Sequence, residues 1–538
     1  MIRENKLQSL VVLIMMLIPQ LIFSQNLRPY VLIVQPIVLQ SDEGTNPASM
    51  ALPEDLVDRT YEKAGLDFYF LEPIYYNDTK ARDGEINLNE IVRRSLKDGV
   101  VKGNGDIVNM FFVNAVDGDK GPLGRGMMNG YFSFICLGQG DENDIDFKNM
   151  QAFVIAHEIG HNLSLKHVVD EPTIPDSIPN IQGSGSFADR IDPKYSLTDY
   201  QIDIIHKSPL VHRRIEFLSK VEGEKAILDE TFESYFSLLQ EAEISAFISE
   251  KVKNSEIEVS RAYAKERFSS AVVDFSSDEK ECINFVINKV NSTLQENNLS
   301  TMANHPWRLI KIEDWLCGGF AHTRGTYIIL SQKHIDHLSK TWSKNMTQED
   351  EDILVKNFGA LLVHEQLHSI QRTYKSKFID LYTNYWGFVM AENIENDSSI
   401  QIMQVSNPDA PIAEWLIPDT TDQTKCYWVR TLLKECSEIP VMGKDFTDKV
   451  FVLKKDKDEY RLQRDSSGKL TELKLTDISF YTESFPVSRG IDHPNEISAY
   501  MFSDYFVSLL SKEKVFKNQK DASVKNTKQF LNWVDKEM

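Results

Sequence analysis

Basic residues are in short supply in this chain: 59 Lys and Arg stand against 80 Asp and Glu, a net charge of −21 over 538 residues. Binding nucleic acid needs a basic face to neutralise phosphates, so nucleic acid is excluded as a partner. The excess acid reads as surface solubility. Long hydrophobic runs are missing beyond the first 25 residues, which excludes a later membrane-spanning helix. Cysteine is scarce too: Cys136 is alone in the first half, and Cys282, Cys317, Cys426 and Cys436 fall in the second. Four cysteines allow three pairings. Pairing of neighbours, Cys282 with Cys317 and Cys426 with Cys436, is the expectation, with Cys136 left as a buried apolar thiol. No acidic loop has EF-hand spacing, although the Asp/Asn/Gly-rich stretches 103–106, 117–121 and 140–146 leave a structural Ca2+ open.

What is present begins with an export signal. Arg3 and Lys6 precede an apolar run from Leu10 to Phe23, broken at Pro19 and Gln20, and Ser24 offers a small residue for cleavage near Gln25. The run falls short of the ~20 residues a spanning helix needs. Residues 1–25 are therefore expected to be removed, and the mature chain to be secreted or periplasmic. At 42% hydrophobic and 26% charged, the remainder has the composition of an ordinary folded protein, so bulk disorder is excluded.

Strand and helix signals then alternate. Tyr30–Leu39 is a β-branched strand, 53–64 an amphipathic helix, and 66–76, 107–116 and 126–137 further strands ahead of a helix starting near Asn149. The segment 216–275 is charged and reads as a helical connector. From 276 the same order of parts returns: a helix over 279–297, strands at 307–314 and 321–331, and a helix over 350–372. Sequons at Asn77, Asn291, Asn298 and Asn345 are acceptors only in a glycosylating host.

Both late helices carry the pattern HExxH. His157-Glu158-Ile159-Gly160-His161 is followed by His167, and His364-Glu365-Gln366-Leu367-His368 lies in the second half. With 12 His in the chain, chance supplies roughly 0.02 such pentads. Residues four apart share a helix face, so each His pair can aim two imidazoles at one Zn2+, with Glu158 and Glu365 beside it as general bases. If the chain turns back near 162–164, His167 becomes a third ligand and a fourth position stays open for water. The second pentad has Tyr374 where a matching histidine would stand. Its third ligand must come from elsewhere, either Glu496 or the nearer Glu392 or Glu395. Tyr500 or His493 could stabilise an oxyanion, and Asp504 could orient a ligand histidine.

The stretch HEIGHNLSLKH resembles the metzincin motif HExxHxxGxxH, with Ser164 where that clan has the turn glycine. Asn180-Ile181-Gln182-Gly183 stands where the clan's methionine turn would be, with Gln182 in place of the methionine. The segment Asn495-Glu496-Ile497-Ser498-Ala499 resembles the gluzincin NExxA helix, in which the Glu completes the zinc site. These resemblances imply an α+β protein of two tandem zincin-like domains, 26–215 and 276–538. One Zn2+ per domain would be held by His157, His161 and His167 in the first and by His364, His368 and Glu496 in the second. They imply a peptidase that cuts a peptide or protein substrate paired along the edge strand before each HExxH helix. The rival expectation is a zinc-binding recognition or scaffold protein in which one domain, the first in particular, does not cleave.

Overall fold

The structure, a computed structural model, describes residues 27–118, 121–141, 143–171, 178–253, 256–411, 414–434, 439–510 and 525–538. The export signal expected at 1–25 lies outside them, as does Cys436. Helices and mixed sheets interleave along the chain, which is the α+β class.

The first sheet is built on β1 (Tyr30–Gln40), whose run of buried Val, Leu and Ile suits a strand covered on both faces. It pairs in parallel with β2 (Leu66–Phe70), β3 (Ile74–Asn77) and β4 (Val108–Phe112). The single strand expected over 66–76 is thus two. Opposite Gln35 and Pro36 the partner chain breaks at Leu71–Pro73, and the Gln35 amide bridges the gap to the Glu72 carbonyl at 2.8 Å. The strand expected over 126–137 is a hairpin of β5 (Gly124–Gly126), antiparallel at the sheet edge, and β6 (Phe132–Ile135), parallel to β4. Helix α1 (Ile145–Asn162) follows, capped by the Asp144 side chain on Asp146 N. Its Ile155 and Ile159 bury against Leu32, Val34, Phe68 and Met110 of the sheet.

A short strand, β7 (His212–Arg213), closes on β1, and β8 (Ile215–Phe217) opens a second sheet. The segment expected as a helical connector over 216–275 does carry helices, at Lys220–Ala226, Glu241–Ile248 and Ile257–Ser270, but it belongs to that sheet at both ends, since β9 (Val272–Val273) pairs with its central strand. Helix α2 (Ser277–Glu296) starts at a capping box formed by Ser276 and Glu279 and buries the stripe Ile283, Val286, Ile287, Val290 and Leu294. Strand β10 (Trp307–Ile312) lies parallel to β8, and a hairpin replaces the single strand expected at 321–331: β11 (His322–Arg324) at the edge, β12 (Tyr327–Ser331) inside. The orders β1–β4–β6–β5 and β8–β10–β12–β11 match strand for strand in direction. After each hairpin comes an HExxH helix. The second, α3 (Ala360–Thr373), is entered through a π-turn over Val355–Gly359, where Gly359 packs against Val290 and Phe506. A long insert then forms its own antiparallel sheet from β13 (Val389–Met390), β14 (Trp415–Pro418), β15 (Lys425–Leu433), β16 (Phe446–Asp456), β17 (Glu459–Leu462) and β18 (Glu472–Leu473). Helix α4 (Pro494–Leu510) returns to lie along α3, tied to it by Ser503 Oγ donating to Ala360 O at 2.8 Å.

The expected disulfide between Cys282 and Cys317 does not form: both are thiols, packed into different hydrophobic clusters, and Cys426 is a thiol as well. Asn291 is unsuited to glycosylation because it is buried and accepts from the Trp307 indole at 3.0 Å. Asp106, from one stretch left open for calcium, is instead an ion-pair residue. Burial alone would raise its carboxyl, but Arg308 and His212 hold it well below the usual range.

Asp106 and Arg308 belong to the seam between the two sheets, which is polar and buried. Arg214 pairs with Asp67, and Glu72 N donates to Thr373 O at 3.2 Å. Tyr69 Oη lies 2.7 Å from His305 Nδ1, and His305 Nε2 lies 2.6 Å from Ser369 Oγ on α3, so β2 is tied to the second HExxH helix. Burial drives the His305 pKa down to about 3, so the ring is neutral in this relay. Tyr69→Phe strands one nitrogen of that buried ring. The variant should lose about 1–2 kcal/mol of stability in urea unfolding; an unchanged midpoint would mean the relay contributes nothing to the seam.

Candidate metal centres

Helix α1 puts His157 and His161 on one face, and the chain past its end brings His167 back to them. The reversal is a Schellman turn: Leu165 N donates to Gly160 O at 2.8 Å, Ser164 N to His161 O at 3.0 Å, and Ser164 sits in the left-handed region at φ 71°. Ser164 therefore does the work of the glycine its position calls for, at a cost of about 1–2 kcal/mol.

The tautomers are fixed by what the other ring nitrogens touch. His157 Nδ1 lies 2.8 Å from Ile181 O and His161 Nδ1 2.8 Å from Leu165 O. A carbonyl can only accept, so both Nδ1 atoms carry the proton and both Nε2 atoms are bare lone pairs. Those lone pairs meet at His167 Nε2, 3.3 Å from His157 and 3.2 Å from His161. One proton on His167 can satisfy only one of them. Burial depresses His157 to about 3 and lowers His161, so the rings do not escape by charging. A tetrahedral ion with ~2.0–2.1 Å bonds to nitrogen separates its ligands by ~3.3–3.4 Å, which is the spacing present.

Beneath the helix, Gln182 Nε2 donates to His157 O at 2.7 Å, while its Oε1 is buried without a partner among the described residues. The amide fits only because residue 160 is glycine; a Cβ there would lie 2.2 Å from Gln182 Nε2. The same crowding brings β5 onto Glu158. Gly126 N donates to Glu158 Oε2 at 2.6 Å, and a Cβ at Gly126 would overlap the Glu158 carbonyl at 2.0 Å. Burial raises the Glu158 carboxyl to about 7 against the opposing Gly126 N–H and Arg125.

The second group is deeper. His364, His368 and Glu496 are all buried, with donor atoms close enough to share one ion. His364 Nε2 and His368 Nε2 are 3.1 Å apart, and Glu496 Oε2 lies 3.5 Å and 3.8 Å from them. The Gln371 amide donates to Asn495 O and Ser498 Oγ, both at 2.9 Å, which leaves its oxygen to accept from His368 Nδ1 at 2.8 Å. His368 Nε2 is thereby bare as well. Asn407 Nδ2 donates to Glu496 Oε1 at 2.7 Å and leaves Oε2 for the ion. Glu365 is 2% exposed, and burial, then Asp409 and Glu496, push its carboxyl well above the ordinary range. Thr323 Oγ donates to its Oε2 at 3.0 Å.

Of the alternatives for the third ligand, Glu395 accepts from Leu462 N and pairs with Arg464, and Glu392 lines the same separate cleft. The structure brings neither to the histidines. Asp504 does not orient a ligand: it faces Arg489 at 3.9 Å, and His364 Nδ1 is buried with no partner among the described residues. His493 Nδ1 accepts from Asn495 N at 3.1 Å. Tyr500 does reach the site, its ring centroid 4.4 Å from that of His364, and burial pushes its hydroxyl up to about 12.

The edge strands differ from the expectation of two open edges. In the ladder of β5 with β6, Leu123 and Met127 bond across to Cys136 and Phe132, so Gly124 and Gly126 turn their backbone groups away from β6, where Glu158 Oε2 takes Gly126 N. In β11 the outward residue is Thr323, and it is already engaged: its N donates to Asp409 Oδ1 at 2.6 Å and its O accepts from Arg372 Nη2 at 3.3 Å. The second edge is closed by the chain itself. Asn407, Asp409 and Thr323 were missed in the sequence because single polar residues on loops and short strands leave no periodic trace.

No family model matches the chain, and no curated protein matches it. Among solved structures it is similar to archaemetzincin from Methanopyrus kandleri, at 13% identity over 32% of this chain and 95% of that one, with a TM-score of 0.22. It is also similar to metalloproteinase-II from Bacteroides fragilis, at 13% identity over 35% of this chain and 55% of that one, with a TM-score of 0.24. A chain of a chaperone–substrate complex matches at 14% identity over 34% of each chain, with a TM-score of 0.21. At TM-scores this low none of the three decides the chemistry, which has to be read from the side chains.

The left-handed Ser164 gives the first test. Ser164→Gly should raise stability by about 0.5–1 kcal/mol in urea unfolding. A loss instead would mean that the Ser164 hydroxyl bond to Asn129 outweighs the backbone strain.

Proposed function

We propose that this chain is a zinc-dependent peptidase with two metal centres, one in each half. The observation that carries the reading is the convergence of deprotonated ligand atoms: imidazole nitrogens with their protons turned outward, at the spacing of a tetrahedral ion, each set beside a buried glutamate. His157, His161 and His167 would hold one ion, and His364, His368 and Glu496 the other. Three protein ligands each leave a position for water, and a zinc ion there supplies a Lewis acid that makes water acidic near neutral pH and polarises a carbonyl.

The chain's own residues do the rest. Glu158 Oε1 and Glu365 Oε1 take a proton from water and pass it to the leaving amine. Burial favours the protonated form in both glutamates, which suits a group that must hold a proton between two steps. Tyr500 stands beside His364 with a hydroxyl that stays protonated and can donate to a developing oxyanion. On this reading each half is a zincin-like domain, 26–215 and 276–538, with β8 and β9, at the two ends of the segment between them, paired onto β10 of the second, and residues 1–25 direct export. A second reading holds for the first half alone: metal-dependent recognition without cleavage. The polar Gln182, with an oxygen left unpaired under the ligand helix, favours it.

Metal analysis of the purified chain should give two zinc ions per molecule. His161→Ala and His364→Ala should each remove one, and Glu158→Gln and Glu365→Gln should remove neither. Cleavage of a denatured protein substrate should fall about 10²–10⁴-fold in the glutamate variant of whichever site is active. Full activity in the double variant Glu158→Gln, Glu365→Gln would end the peptidase reading. Loss of activity in Glu365→Gln alone would select the recognition role for the first half.

A further inference from the structure

The cavity in front of the second candidate centre is lined by far more acidic than basic side chains. About 800 Å³ is lined by Glu365, Asp409, Asp448, Asp492 and Glu496 against one guanidinium, Arg489. That guanidinium is engaged elsewhere, 4.3 Å over the Tyr500 ring and 3.9 Å from Asp504. Glu365 and Glu496 have roles in the proposed chemistry, but Asp409 and Asp492 have none. Asp409 spends Oδ1 on Thr323 N and has Oδ2 to spare. Asp492 forms no ion pair within 4.0 Å among the described residues, and burial, then Glu496 and Asp448, push its carboxyl to about 7 against a weaker pull from Arg430.

An independent sign comes from His322 on β11. The ring is 2% exposed and lines the same cavity. Its Nδ1 lies 3.1 Å from Phe320 O and so carries the proton, and its Nε2 is a buried acceptor with no partner among the described residues. A cavity lining with more carboxylates than basic groups, and a buried acceptor without a hydrogen-bond donor among the described residues, ask for the same complement: a positive group with several N–H donors. The closed edge points the same way, because with Thr323 engaged on both sides an extended substrate cannot be laid along β11, and recognition must come from the cavity walls.

We propose that the second cavity binds a cationic group of the substrate, an ammonium or a guanidinium, between Asp409, Asp492 and His322 Nε2, beside the bond cut at the second centre. This rests on the peptidase reading. The cation has two possible sources, a Lys or Arg side chain or a free N-terminal amine.

The test is calorimetry on the zinc-loaded full chain carrying Glu365→Gln, which binds without turnover. Three peptides of equal length are compared: N-acetylated with Lys, free N-terminus with norleucine in place of Lys, and N-acetylated with norleucine. One cationic peptide should bind at least about tenfold more tightly than the neutral one, which identifies the source. Adding Asp492→Asn should reduce that ratio to within about threefold, and Asp409→Asn gives the same reading if the Asp492 variant does not fold. Equal binding of all three peptides, binding of none, or an advantage that survives both substitutions overturns the proposal. Wild-type cleavage is followed in parallel. A charge preference in binding without any cleavage sinks the peptidase reading alone, and cleavage without charge preference sinks this inference alone.

Discussion

The structure depends on a constraint on single imidazole rings: a ring that gives its Nδ1 proton to a carbonyl must present a bare lone pair at Nε2. His157 is held this way by Ile181, His161 by Leu165 and His368 by Gln371. Lone pairs gathered within hydrogen-bond distance repel unless a cation stands between them. Much of the surrounding architecture maintains that gathering. The loop over 180–183 exists in its present shape to offer Ile181 O, and the Schellman turn to offer Leu165 O and return His167. On α4, Asn495 and Ser498 fix the orientation of Gln371, and Asn407 fixes that of Glu496. These contacts set which tautomer each ring adopts and how basic its bare nitrogen is.

The two halves close their ligand sets by different routes, with consequences for exposure. In the first, the third histidine comes from the next turn of chain, so nothing needs to fold over the group and His167 stays exposed. In the second, Glu496 arrives on a helix that follows a complete inserted sheet. That sheet supplies cavity walls such as Thr431 and Asp448, and the three ligands are buried. Burial raises the price of every charge in the cavity, and the carboxyls of Glu365, Asp409 and Asp492 all shift upward as a result. A cation entering there gains more than it would at the surface.

Much of this was legible in the residues. Periodicity located β1, α2 and both HExxH helices, and the NExxA segment pointed to Glu496 across a gap of more than a hundred residues. What misled was local. The apolar stretches over 126–137 and 321–331 read as single strands because a hairpin with a short turn keeps the same alternation on both arms. The stretch 66–76 hid a break because the Gln35 amide that bridges it lies in another strand. The connector is helical as expected over Lys220–Ala226, Glu241–Ile248 and Ile257–Ser270, but the two- and three-residue strands β8 and β9 at its ends carry no pattern of their own. Asp504 was open as a partner for a ligand histidine, but it faces Arg489, on a loop, and makes no hydrogen bond to a histidine among the described residues. The cysteines were paired by proximity in sequence, and Cys282 and Cys317 bury in different cores.

The central claim is that zinc is held by imidazole Nε2 atoms and a carboxylate, without sulfur. X-ray absorption at the zinc edge of the loaded protein tests it most directly. The account predicts a shell of nitrogen and oxygen alone at ~2.0–2.1 Å, with the outer-shell scattering of two to three imidazoles per ion. A sulfur shell at ~2.3 Å, or a nitrogen and oxygen shell lacking imidazole scattering, would contradict it.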